Sequence, residues 1–400
     1  MQKNHLIVAL ILYLASSAAT YGVLAQMKPK DASKTQSADV TDQKPAADKT
    51  MLGSLLQISP DEPRDQKCPL NGKMYTQTEQ AAWAKRRPLF VMIENAPDAR
   101  PQSGLTSADV VFEVVAEGGV TRFGAIFYCG VQANDTTLAP IRSARTYFVD
   151  WASGFNRPMY VHVGGANTPG PANALGQISD YGWNQQNDMN QFSVGYPTFV
   201  RDYERIAGKE IATEHTMVTT TELLWKIADK RGWTNMSPTR KVGKKEVAGT
   251  DWKDGYKGWK FQTEVEKTGS VNKISYDFWS GYGQYSIQWD YDSATNQYAR
   301  TMGGEKHLNL EDNKQIMASS VIVMLTTEKG PIDENKHMLY TTTGKGDALL
   351  FKNGDVFKVT WSKKDREAEL LFMDSKGKEV ELAPGLIWIS VLPKSNEVQY

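Results

Sequence analysis

Cysteine is nearly missing from this chain: its 400 residues hold two, Cys68 and Cys129. That scarcity excludes a cysteine-built zinc module and a multi-bridge disulfide scaffold. One question is left open, whether the two pair. Cys129 ends an apolar run and Cys68 lies in the lead-in, so a bridge would clip that lead-in to a sheet, with about 4 kcal/mol from loop closure. Two independent thiols, one buried and one in a loop, fit the spacing equally well. Histidine is scarce too, five in all, at spacings that match no zinc motif. Net charge is zero, 46 Lys and Arg against 46 Asp and Glu. With no concentrated basic face, nucleic acid is not an evident partner. The basic stretch at 240–245, RKVGKK, sits among Gly, Thr, Ser and Pro and reads as a solvated loop. No self-similarity at 20- to 50-residue spacing occurs, which excludes a solenoid.

Long apolar runs are missing except at the start. Lys3 precedes the run Leu6 to Leu14, small residues follow, and Val23-Leu24-Ala25 fits the small-x-Ala pattern of a signal peptidase site. Residues 1–25 are therefore expected to act as a signal peptide or, uncleaved, as a signal anchor. The location is extracytoplasmic, and membrane contact is expected only through this segment. No cysteine lies nearby, so lipid attachment is excluded by chemistry. Residues 26–75 are too poor in large apolar side chains to repay ordering and read as a disordered stalk and lead-in.

Beyond the stalk, apolar runs bounded by Gly or Asp predict strands at 89–93, 110–116, 123–129 and 159–163. Helical spacing predicts helices at 78–85, 143–155 and 221–230. Alternating strands and helices imply an α/β N-terminal domain over 78–234. Residues 235–259 are rich in Gly, Lys and Thr and read as a linker. Residues 260–400 carry nine short strand-like runs with turn signals between them, an all-β C-terminal domain, sandwich or barrel, making the whole α+β. The aromatic stretch 276–291 reads as filling for that β core.

Charge collects at one predicted strand end. Arg142-Ser143-Ala144-Arg145 opens a predicted helix, where free backbone N–H groups and two guanidiniums suit phosphate or carboxylate. Asp109, Glu113 and Glu117 are evenly spaced along one strand and are expected on one face at period two. Arg122, Arg142 and Arg145 are the nearest neutralisers. No cofactor is evident, and a divalent cation held by the carboxylates, magnesium or calcium, is the alternative. His162, just before Gly164-Gly165 at a strand end, is the best placed histidine, with His215 second. The candidate ligand-binding set is thus Asp109, Glu113, Glu117, Arg122, Arg142, Ser143, Arg145 and His162. Ser143 lacks the Gly-x-Ser-x-Gly elbow, which argues against a hydrolase triad.

Several separated motifs occur in a fixed order: Arg100-Pro101-Gln102-Ser103-Gly104-Leu105, Ala108-Asp109, Glu117-Gly118-Gly119-Val120-Thr121-Arg122, Pro140-Ile141-Arg142-Ser143-Ala144-Arg145 and His162-Val163-Gly164-Gly165. Tyr298-Ala299-Arg300, Gly304-Glu305-Lys306-His307 and the closing Pro384 to Ile389 follow. From about Trp83 to the C-terminus the chain resembles the YerB-like lipoprotein family, a two-part domain of unknown function in bacterial envelope proteins. The resemblance implies an envelope location and two coupled domains, and supplies no reaction. Relatives carry a lipid-attachment cysteine after the signal, where this chain has Val23-Leu24-Ala25-Gln26. The order of strand, arginine motif and strand ending in Gly-Gly is also similar to the LytR-CpsA-Psr phosphotransferases, a fold-level analogy only.

The expected function is an exported envelope protein that binds an anionic small molecule or envelope polymer at the arginine motif. One alternative is a phosphoryl-transfer or hydrolytic enzyme acting on phosphorylated cell-wall precursors, with Asp109, Glu113 or Glu117 on a metal. The other is a protein interaction module using an exposed apolar patch of the β domain.

Overall fold

The computed structural model describes residues 56–242, 245–264 and 269–400. The signal segment 1–25 and the stalk as far as residue 55 lie outside the described residues. The architecture is built mostly from strands, with few helices. Ten strands form one sheet: β1 (Leu89–Glu94), β2 (Val110–Glu117), β3 (Val120–Phe127), β4 (Met159–His162), β5 (Asp188–Asn190), β6 (Ser320–Thr326), β7 (Gly344–Lys352), β8 (Asp355–Lys363), β9 (Leu371–Met373) and β10 (Ile387–Pro393). Their order across the sheet is β9-β8-β7-β6-β10-β2-β3-β1-β4-β5.

Both halves of the chain contribute to this sheet. β10 pairs parallel with β6 on one side and with residues 110–113 of β2 on the other, so the join is a run of main-chain hydrogen bonds. Separate cores for 78–234 and 260–400 were expected, and the structure instead shares its packing on both faces. One face joins Phe90, Phe112 and Phe148 to Ile322, Leu350 and Trp361. The other joins Val111, Phe123 and Trp225 to Trp289, Val321 and Trp388. The reason is legible in the strands: β1, β6 and β10 are almost wholly buried, apolar on both faces, and so need cover from both sides.

Helices α1 (Gln77–Trp83), α2 (Thr146–Ser153) and α3 (Ala174–Asp180) pack Trp83, Trp151 and Ile178 on the first face. Helix α4 (Thr221–Lys230) covers the second face through Leu224 and Trp225. Beside it, a smaller antiparallel sheet of residues 273–276, 287–292 and 297–302 fills the same face with Ile274, Trp289 and Tyr298. The aromatic stretch 276–291 is accordingly core, as its alternation predicts.

The expected linker is partly packed. Trp252 is buried, its indole donates to Tyr128 Oη at 3.3 Å, and its amide donates to the Asn235 carbonyl. Cys68 and Cys129 are joined as a disulfide with Cα atoms 6.1 Å apart, which decides the pairing question. The bridge fastens the lead-in, including the strand Arg64–Lys67, to the end of β3.

Candidate functional site at the carboxyl edge of the sheet

β1, β2, β4 and β5 run in one direction, so Glu94, Glu117, His162 and Asn190 end on one edge. The arginine motif arrives at that edge as an extended segment between β1 and β4. Ile141 bridges Ile93, the Arg142 amide donates to the Met92 carbonyl, and the Val163 amide donates to the Arg142 carbonyl. Diverging strand ends are where a ligand is reached without opening the core.

Side chains then converge. Arg122 Nη2 lies 2.5 Å from Glu117 Oε1 and 3.6 Å from Glu94 Oε2. Arg145 places Nη2 2.8 Å and Nε 3.1 Å from Glu117 Oε2. Arg142 donates through Nε to Glu94. His215 Nδ1 stands 3.9 Å from the same Glu94 carboxylate. Burial alone would raise the Glu117 carboxyl, but Arg122 and Arg145 outweigh it and hold it at about 2. Glu94 is lowered in the same contest, by Arg122 and Arg142. Burial, helped by Arg122, lowers Arg145.

Three guanidiniums therefore face two carboxylates, one positive charge in excess. Arg122 and Arg145 are buried, whereas the Arg142 side chain is 27 % exposed. Arg142 makes only its Nε contact among the described residues, so its two terminal nitrogens remain open. The Ser143 hydroxyl is likewise without a partner among the described residues, while its carbonyl accepts from Arg122 at 3.3 Å. Ser143 does not begin the helix: Arg145 is the N-cap, and its side chain folds back onto Glu117 instead of capping.

The three expected carboxylates do not share a face. A bulge between Val115 and Glu117 interrupts the β2–β3 register and turns Glu117 toward Arg122 and α2. Glu113 points to the other face, into a buried network in which Arg300 Nη1 is left without a partner among the described residues. Arg300 Nη2 donates to Glu113 Oε2 at 2.7 Å, Trp388 Nε1 donates to the same oxygen at 3.1 Å, and Thr121 Oγ1 donates to Oε1 at 3.1 Å. Arg300 also lies over the Trp388 ring at 4.3 Å. His307, held well below its usual range by burial with Arg300 and Arg100, accepts from Arg300 Nε on Nδ1. Its Nε2 then donates to Gln102 Oε1 at 2.8 Å, and Gln102 donates to Asn95 Oδ1 at 2.9 Å.

Asp109 lies elsewhere again, accepting from Asn71 Nδ2 at 2.5 Å and from the amides of Tyr128 and Cys129. Burial raises its carboxyl to about 7 against the pull of those donors. The grouping Cys68, Asp109 and Cys129 is compact enough for a metal, but both sulfurs are spent in the disulfide. Because Asp109, Glu113 and Glu117 are separated, they form no common cation cage. His162 is fully buried, with Nδ1 2.6 Å from the Gly164 carbonyl and Nε2 2.6 Å from Asp188, a tie between β4 and β5 and not an open ligand group.

Of the residues expected to lie together, Arg122, Arg142, Arg145 and Glu117 do so, joined by Glu94, which the sequence pattern had not singled out. Glu94 had a signal: it ends an apolar run as Glu117 does.

This chain matches the N-terminal domain of a protein family of unknown function, DUF3048, over residues 74–234, and the C-terminal domain of that family over 274–389. It belongs to that family. A relative in Bacillus subtilis, YerB, named as a candidate lipoprotein, is 28 % identical over 337 residues, 84 % of this chain and 88 % of the relative. The crystal structure of YerB from Bacillus subtilis superposes with a TM-score of 0.64 at 25 % identity, covering 84 % of this chain and all of that one. Among the described residues no helix is long and apolar enough to cross a membrane.

Proposed function

We propose that the protein is exported by residues 1–25 and binds an anion at the carboxyl edge of its sheet, with Arg142 as the contacting group. The observation that carries this reading is the uneven pairing: three arginines share Glu94 and Glu117, and the unspent donors belong to the most exposed of the three. A guanidinium presents five donors in a planar fork suited to phosphate or carboxylate. Arg122 and Arg145 add positive potential from beneath, and Glu94 and Glu117 hold them in place. Ser143 supplies an adjacent hydroxyl.

Pyrophosphate titrated calorimetrically into the wild type should bind. Arg142→Ala should abolish binding while the melting curve stays nearly unchanged. Absence of binding by the folded wild type would defeat the reading and leave a structural ion network. The metal-dependent enzyme gains no support from three dispersed carboxylates. An interaction surface on the β half gains none either, since Phe357 and Tyr400 are the only large apolar side chains well exposed among its described residues after 260.

A further inference from the structure

We propose that the segment of residues 191–203, which holds the short helix Gln191–Val194 and the paired strand Val200–Arg201, docks on a lipid bilayer and presents the Arg142 edge to phosphate headgroups. This rests on the anion reading above and names its ligand class.

The first observation is where exposed apolar surface collects. Nine large apolar side chains are well exposed among the described residues, and four of them fall within 12 positions: Phe192 at 75 %, Tyr196 at 85 %, Val200 at 38 % and Tyr203 at 52 %. The other five, Met74, Met236, Val247, Phe357 and Tyr400, are scattered along the chain. Side chains this exposed contribute little to stability, so folding does not account for the concentration. Aromatic rings of this kind partition into the interfacial layer of a bilayer, with tyrosine hydroxyls at headgroup level.

The second observation is what the segment adjoins. The Phe192 ring covers Gly164, where a Cβ would stand 3.1 Å from Cε2. The Gly164 carbonyl accepts the Ala144 amide at 3.0 Å, so the aromatic ring borders the arginine segment. Asn190 Oδ1 accepts from the amides of both Gly164 and Phe192, at 3.1 and 3.2 Å, and ties the segment to that turn. Arg201 is spent on Thr213 and Thr216. The segment thus offers rings and hydroxyls, with its Asp202 carboxylate turned to the Glu204 amide, while Arg142 offers the positive charge, an order that matches acyl boundary below headgroup.

The test uses the full chain with the disulfide intact and one added cysteine, Ser193→Cys, carrying an environment-sensitive dye. Vesicles of phosphatidylcholine should shift the dye emission to the blue, and adding phosphatidylglycerol should enlarge the shift. The same dye at Thr295→Cys, on the groove beside Asp109 at the opposite edge, should not respond. Phe192→Ser with Tyr196→Ser should abolish the shift, and Arg142→Ala should remove only the phosphatidylglycerol increment. No shift at 193, or equal shifts at 193 and 295, overturns the proposal. A shift that rises with protein concentration without lipid also overturns it, because the segment then covers a second copy. Failure to dock while pyrophosphate still binds would leave the anion reading intact. Docking without pyrophosphate binding, unaffected by Arg142→Ala, would defeat that reading and the headgroup contact together.

Discussion

Two clusters of buried charge stand a few residues apart on β2, and they are finished differently. The interior one sets Glu113 against Arg300, both without exposure, and spends the carboxylate on Trp388 and Thr121 as well. The edge cluster sets two glutamates against three arginines and leaves Arg142 with open donors. A charge pair buried away from water joins two parts of a protein; one with a surplus facing water has something left to offer a ligand. Composition does not distinguish them. Exposure does: Arg142 is 27 % exposed, whereas Arg300, whose Nη1 also lacks a partner, is fully buried.

The contrast breaks most sharply at its closed end. Arg300→Ala strands Glu113 in the core and should cost about 3–5 kcal/mol in urea unfolding. Replacing the pair together, Glu113→Leu with Arg300→Met, should restore much of that loss, because the expensive state is one unpaired charge. Losing the disulfide through Cys68→Ala and Cys129→Ala should cost about 4 kcal/mol, as expected for a 61-residue separation. The edge cluster should then divide internally. Arg145→Ala, which removes a buried partner of Glu117, should cost about 2–3 kcal/mol, against less than about 1 kcal/mol for the part-exposed Arg142→Ala.

The last effect is one of pH. Glu117 is held at about 2 in the fold, against an ordinary value of 4.5, by arginines that outweigh its burial. Its folded value is depressed, so its contribution is complete above pH 4.5 and disappears as pH falls toward 2. Glu117→Gln should be less stable than the wild type at pH 7, and the two should converge by pH 2. Parallel urea melts at pH 7, 4 and 2.5 check this; a constant gap would mean that Glu117 is not held by charge.

Much of the fold could be read from residue patterns, because most elements announce themselves locally. The helix at 221–230 has Thr220 as an N-cap and an apolar stripe, and it forms over those residues. The runs at 89–93, 320–326 and 387–392 form strands within a residue of their expected ends. Partners were harder. Nothing local in Ile387 to Pro393 says that it lies beside Val110, and so one shared sheet was expected to be two separate cores. The site shows the same division. Arg122, Arg142 and Arg145 could be found from their types, but the bulge that parts Glu117 from Glu113 shifts a strand's phase by one residue, and alternation alone cannot show it.

The position of β10 bears on how such a chain is made. A protein emerging from its N-terminus first has β2 long before the residues that flank it, and residues 110–113 wait for 387–390. Until then β2 presents an unpaired, almost wholly apolar margin, and β6 another. Sheet closure is then the last event of biogenesis, slow because the contact is so distant along the chain. A product shortened by even its final 14 residues would release two open margins at once, a substrate for chaperones and proteases and not a smaller working protein.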